Sequence, residues 1–239
     1  MDTLTRDGAR RQKAGGLAAL YLALAYLAAM PYFLLVVDYP SATTAADKVA
    51  LILGNSTSMF AMYLVTYVLF GIALGVRALA LYDRLKASAV FGARVVTLVG
   101  LLWSFALVAS GMVFTYGITT VADLAATDRG QAELAWQALE AVAQGLGGAG
   151  GELLGGLWVL LVSWLALRSA SLPKTLGLLG IAVGAIGLVS TVPSLHDAAY
   201  AFGLLQIVWL VWLGVKLTTT EATAPKAVKH VATRACTTS

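Results

Sequence analysis

Six stretches of the chain, at approximately 15–37, 58–82, 92–118, 149–168, 174–193 and 199–217, are apolar for long enough to cross a lipid bilayer. A membrane-crossing helix needs about 20 predominantly apolar residues, because about 30 Å of hydrocarbon is traversed at about 1.5 Å per residue. No mid-span run of charge interrupts any of the six. Backbone polar groups in lipid must be paired within their own segment, which admits helices here. The pattern therefore predicts an all-α, polytopic membrane bundle of six transmembrane helices over residues 1–217. A polar, disordered cytoplasmic tail is expected over 218–239. Composition agrees: 12% of the residues are charged and the mean hydropathy is +0.83, where a soluble domain carries about 25% charge.

The first stretch follows basic residues, as a secretory signal does. Its apolar run, Ala14 to Val37, exceeds the about 7–15 residues of a signal core, so it reads as the first membrane helix. The single cysteine, Cys236, lies in the polar tail, so no intramolecular disulfide is possible. The residues after it do not fit a prenylation signal.

Basic residues set the expected orientation. Arg6, Arg10, Arg11 and Lys13 precede the first stretch, and Arg77, Arg84, Lys86 and Arg94 flank the turn between the second and third. Arg168 and Lys174 bound the turn between the fourth and fifth, and Lys216, Lys226, Lys229 and Arg234 follow the last. Only Lys48 and Arg129 of the sixteen basic residues fall on the opposite side. The positive-inside rule then predicts a multi-pass protein of the inner (plasma) membrane with both termini cytoplasmic. The net charge of +4 is explained by this orientation. No basic stripe points to a nucleic-acid partner.

Ahead of the fourth stretch, "QAELAWQALEAVAQGLG" predicts an amphipathic helix on the outer face, capping the bundle. Its polar positions are Glu133, Gln137, Glu140 and Gln144; Ala135, Leu139, Val142 and Leu146 form the other face, and Trp136 suits the membrane interface. Run unbroken through residues 131–167, this helix would be about 55 Å long, so the chain must bend. Gly145, Gly147, Gly148, Gly150 and Gly151 stand where the bend is needed. Gly147, Gly151 and Gly155, and then Gly177, Gly180, Gly184 and Gly187, form small-residue stripes that let helices approach closely in lipid.

Glu152 stands alone among these glycines at the start of the fourth stretch. One reading makes it a helix N-terminal carboxylate, satisfying free backbone N–H groups and favoured by the helix dipole. The other makes it a ligand-facing or proton-handling group, since ionisable residues in spans mark function. It is the candidate acid/base. Tyr63 and Tyr67, one turn apart, are expected to pack and could line a cavity. His196 and Asp197 lie in the short turn between the fifth and sixth stretches, on the side of Glu152. Gln206, mid-span in the sixth, fits an interhelical hydrogen bond. These six residues are the candidate binding positions. Too few histidines are present for a three-histidine zinc site, and no metal or cofactor is expected. Arg77 reads as a snorkelling helix-end residue, and Trp209 and Trp212 as an aromatic belt.

The stretch from "GLGGAGGELLGGLW" through the "LP" turn to "FGLLQIVWLVWLGVKL", with the earlier "MFAMYLVTYVLFGIALGVRALALYDRL", resembles a family of small bacterial six-span membrane proteins of unknown function. The resemblance implies an uncharacterised integral membrane protein and no catalytic residues. Three function classes follow. The protein binds a lipid or small lipophilic molecule, or serves as a membrane partner subunit or homo-oligomer. Alternatively it is an intramembrane enzyme on an isoprenoid-like substrate, with Glu152 as acid and aromatic rings stabilising a cation. The third class is a small transporter.

Overall fold

A computed structural model describes residues 2–147 and 152–219. They form α1 (Asp2–Pro31), α2 (Ala45–Tyr63), α3 (Phe70–Leu85), α4 (Val90–Ala125), α5 (Arg129–Gly147), α6 (Leu153–Ser169), α7 (Lys174–Val189) and α8 (Ala198–Thr219). No strand occurs among the described residues. A π-turn, Leu64–Leu69, joins α2 to α3 in one continuous helical run. Another, Tyr32–Val36, follows Pro31, whose ring removes a backbone donor and ends the regular α ladder.

Local chemistry explains several boundaries. Thr44 and Asp47 form a reciprocal capping box at the start of α2: Asp47 N–H donates to Thr44 Oγ1 at 3.1 Å, and Thr44 N–H to Asp47 Oδ2 at 3.2 Å. Ala170, at φ 51, turns the chain out of α6, and Pro173 starts α7.

Four helical segments are long and apolar enough to cross a membrane: Asp7–Val36, Ala45–Leu85, Val90–Ala125 and Ala198–Thr219. α6 and α7, at 17 and 16 residues, are apolar but shorter. Their lengths of about 24–26 Å fall just under a typical hydrocarbon core. Large apolar side chains face outward, among them Leu24, Phe91, Phe105 and Leu204, each more than half exposed. Such a surface is costly in water and costs nothing in lipid.

The helices pack as a closed circuit: α1 on α3, α3 on α4, α4 on α6, α6 on α7, α7 on α8, and α8 back on α1. At the α6–α7 crossing, a Cβ on Gly156 would lie 2.7 Å from Leu188 N and 2.9 Å from Gly184 O, so backbone meets backbone. α5 stands outside the circuit, against α4 and α2. Ser110 Oγ donates to Ala143 O at 2.8 Å, tying α4 to α5.

Two cores result. One fills the circuit and includes Leu22, Leu74, Trp158, Val162, Phe202 and Trp209. The other lies between α2, α4 and α5 and includes Ile52, Met59, Tyr63, Phe114 and Trp136. Tyr67, in the π-turn, packs on both.

α5 is helical as expected, but its faces are rotated from the sequence reading. Ala132, Trp136, Glu140 and Ala143 point inward, while Val142 is 54% exposed. Trp136 is fully buried, not interfacial. Glu140 turns inward because a counter-charge and a phenol await it, as set out below. The expected bend at Gly148, Gly150 and Gly151 lies outside the described residues. So does the tail from residue 220; Thr218 and Thr219 still belong to α8.

Candidate functional site

Between the two cores lies a cavity of about 320 Å³. α1, the π-turn, α4 and α5 form its walls, with Glu152 and Tyr200 completing it. Eight of the nineteen lining residues are aromatic. Tyr63 stacks on Phe114 at 4.3 Å with an interplanar angle of 7°. Tyr67 stands edge-on to both, at 5.6 and 5.5 Å. Phe33 lies 5.2 Å from Tyr63, and Tyr26 meets Phe70 edge-on at 5.4 Å. The π-turn contributes both Thr66 and Tyr67 to the lining. The extra residue in such a turn re-aims side chains and often marks a functional position. Thr66 Oγ1 is satisfied locally, donating to Met62 O at 2.7 Å.

Two carboxylates reach this cavity. Glu140 is fully engaged. Lys48 Nζ lies 2.7 Å from its Oε2 and 2.9 Å from its Oε1. Tyr39 OH donates to Oε1 at 2.8 Å and Gln144 Nε2 at 3.2 Å. Trp136 Nε1 donates to Tyr39 OH at 3.1 Å, extending the network into the core. Burial, and then the neighbouring Glu140, hold the Tyr39 phenol well above the ordinary tyrosine range, so it remains a donor.

Glu152 differs. It is the residue immediately before α6, yet its side chain makes no capping hydrogen bond. The helix-capping reading is therefore not what the side chain does. Its backbone is engaged instead: the N–H donates to Ser190 Oγ at 3.2 Å, and the carbonyl accepts from Gly156 N–H at 2.7 Å. A Cβ on Gly155 would lie 2.7 Å from Glu152 Oε2, 2.8 Å from Trp103 Cζ2 and 3.2 Å from Phe202 Cζ. The absent side chain at Gly155 thus leaves room for the carboxylate and for the Trp103 and Phe202 rings that share this space. Among the described residues no hydrogen bond or ion pair reaches this carboxylate.

Three expected site residues, Glu152, Tyr63 and Tyr67, come together in this cavity. His196 and Asp197 do not: they are exposed in the turn before α8 and line nothing there. Gln206 is fully buried in the other core, and neither atom of its amide has a hydrogen-bond partner, so it makes no interhelical hydrogen bond. No group of three or more His, Cys, Asp or Glu side chains placed to hold a metal ion occurs among the described residues.

The sequence reading missed Glu140, Lys48 and Tyr39, and misread Arg77. Arg77 does not snorkel. It is fully buried, with its guanidinium 4.4 Å from the Trp158 ring and 5.8 Å from the Trp209 ring. Its Nε, Nη1 and Nη2 have no hydrogen-bond partner, nor have Ser163 Oγ and the indole nitrogens of Trp158 and Trp209. Trp209 is likewise a core residue and no part of an interfacial belt. A buried cation costs several kcal/mol, and two indole rings offset about 2 kcal/mol of that. The signal was available: a lone charge inside "FGIALGVRALALY" marks an interior group.

A family model described as a domain of unknown function (DUF4386) matches residues 17–216, and the chain belongs to that family. The match runs from α1 through α8 and so takes in both cores and the cavity. No curated protein and no solved structure matches the chain.

Proposed function

We propose that this is an integral membrane protein that binds a lipid or small lipophilic molecule in the cavity between its two cores. The observation that carries the reading is the cavity itself. About 320 Å³ falls within the size range of small-molecule sites, and such sites are mostly apolar with a few placed polar groups. Eight aromatic rings and one carboxylate with no partner among the described residues match that description.

In this reading the circuit of α1, α2–α3, α4, α6, α7 and α8 crosses the inner membrane six times. Both termini face the cytoplasm, and α5 covers the outer end. The asymmetry of fourteen of sixteen basic residues supports the orientation. The closed circuit supports counting α6 and α7 as crossings, since each packs between two neighbours.

The enzyme reading gains one specific support. Glu152 and the rings of Tyr63 and Tyr67 share a single apolar cavity, the arrangement a proton-initiated reaction on an isoprenoid-like substrate needs. Turnover of a polyprenyl substrate, lost in Glu152→Gln, would favour it over binding alone.

A photoreactive lipophile tests the main reading: a ten-carbon alkyl chain bearing a diazirine, applied to the full chain in lipid discs. Label is expected on Phe33, Tyr63, Tyr67 or Phe114, and it should fall sharply when Ala29→Phe fills the cavity. Label confined to outward residues such as Leu24 and Phe105, unchanged by Ala29→Phe, would overturn the reading.

A further inference from the structure

We propose that the ligand of this cavity carries a cationic, ammonium-type head group, with Glu152 as its counter-ion. The inference rests on reading the cavity as a lipophile site and adds the chemistry of the head group. Of the two carboxylates that line it, Glu140 has its cation in Lys48 and two further donors, Tyr39 and Gln144. Among the described residues, Glu152 has neither a cation nor a donor for its side chain. A half-buried carboxylate in an apolar site carries a desolvation cost while it is ionised and unpaired. A ligand that brings a positive charge removes that cost on binding; a neutral ligand leaves it in place.

The lining points the same way. No Lys, Arg or His is among the described residues that line the cavity. A phosphate or carboxylate head group would therefore find no cation in that lining, and would meet two carboxylates beside neutral donors such as Gln144 and the tyrosine hydroxyls. Arg77 is not part of the lining, and its guanidinium is stacked on Trp158 and Trp209. Aromatic walls suit an alkylated ammonium for a further reason: the negative ring face attracts a weakly hydrated cation, most strongly where water is excluded. Tyr26, Tyr63, Tyr67, Phe70 and Phe114 supply such rings around the space that Glu152 enters. A carboxylate with aromatic rings around it is a receptor for a lipophilic amine.

Three ten-carbon competitors test this: decyltrimethylammonium, decan-1-ol and decyl sulfate. Each is titrated against cavity labelling by the diazirine lipophile, on the full chain in discs of zwitterionic lipid. The ammonium compound should displace the label at about a tenfold lower concentration than the alcohol, and the sulfate should displace least. In Glu152→Gln the advantage of ammonium over alcohol should vanish while cavity labelling persists. Equal displacement by ammonium and alcohol in the wild type overturns the head-group inference and leaves the cavity reading intact. An ammonium advantage that survives Glu152→Gln overturns it equally. The wild-type ranking needs no variant, so a misfolding Glu152→Gln protein would not shelter the proposal. Failure of the lipophile to label the cavity at all counts against the cavity reading instead.

Discussion

The two ends of one cavity hold the same functional group in opposite circumstances. At the α5 end, Glu140 is bound by Lys48, Tyr39 and Gln144, and through Tyr39 to Trp136. At the α6 end, Glu152 has no polar partner for its carboxylate among the described residues. The difference separates structure from function. A satisfied buried carboxylate holds elements together, here α5 and the turn at Tyr39–Ser41 and α2. An unsatisfied one is tolerated only where something else is gained.

That contrast makes graded predictions for stability, read as thermal melting of the full chain in lipid discs. Glu140→Ala should have the largest effect, about 3 kcal/mol, because Lys48, Tyr39 and Gln144 all lose their acceptor. Lys48→Met should cost about 2 kcal/mol, leaving the carboxylate hydrogen-bonded but without a counter-charge. A double-mutant cycle between the two should give a strong coupling, and additive losses would contradict the ion pair as a structural tie. Tyr39→Phe should cost about 1 kcal/mol, removing one donor to Glu140 and the acceptor of Trp136 Nε1. Glu152→Gln should fall within about 0.5 kcal/mol of wild type, since it removes no interaction made by the described residues. A melting loss for Glu152→Gln as large as that for Glu140→Ala would erase the distinction between the two ends.

Much of the scaffold was legible from residue type alone. Long apolar runs become helices, although α2 begins at Ala45, capped by Thr44 and Asp47, well before the apolar stretch expected from 58. Glu152 stood out because a charge beside glycines at the start of an apolar run has few bland explanations. Tyr63 and Tyr67 were found because they are one turn apart. What failed was the assignment of inward faces. In lipid the outside of a helix is as apolar as the inside, so periodicity no longer tells one from the other. That is why Trp209 was placed in a belt; α5 was misread because Glu140, polar by type, is turned inward by Lys48 and Tyr39. Gln206, His196 and Asp197 were chosen by residue type and side of the membrane, which says nothing of distance to a cavity. The pairing of Lys48 with Glu140 spans 92 residues of sequence. No local pattern could have announced it, although each is an isolated charge of opposite sign on the same side of the bundle.

The central claim is that Glu152 serves a bound molecule while Glu140 serves the fold. Mass spectrometry of what co-purifies in native lipid discs with the wild type and with Glu152→Gln tests it most directly. The account predicts a specific lipophilic amine, enriched with the wild type and absent from an equally stable variant. Identical bulk lipid in both, with equal melting temperatures, would contradict it and leave Glu152 without a role in binding.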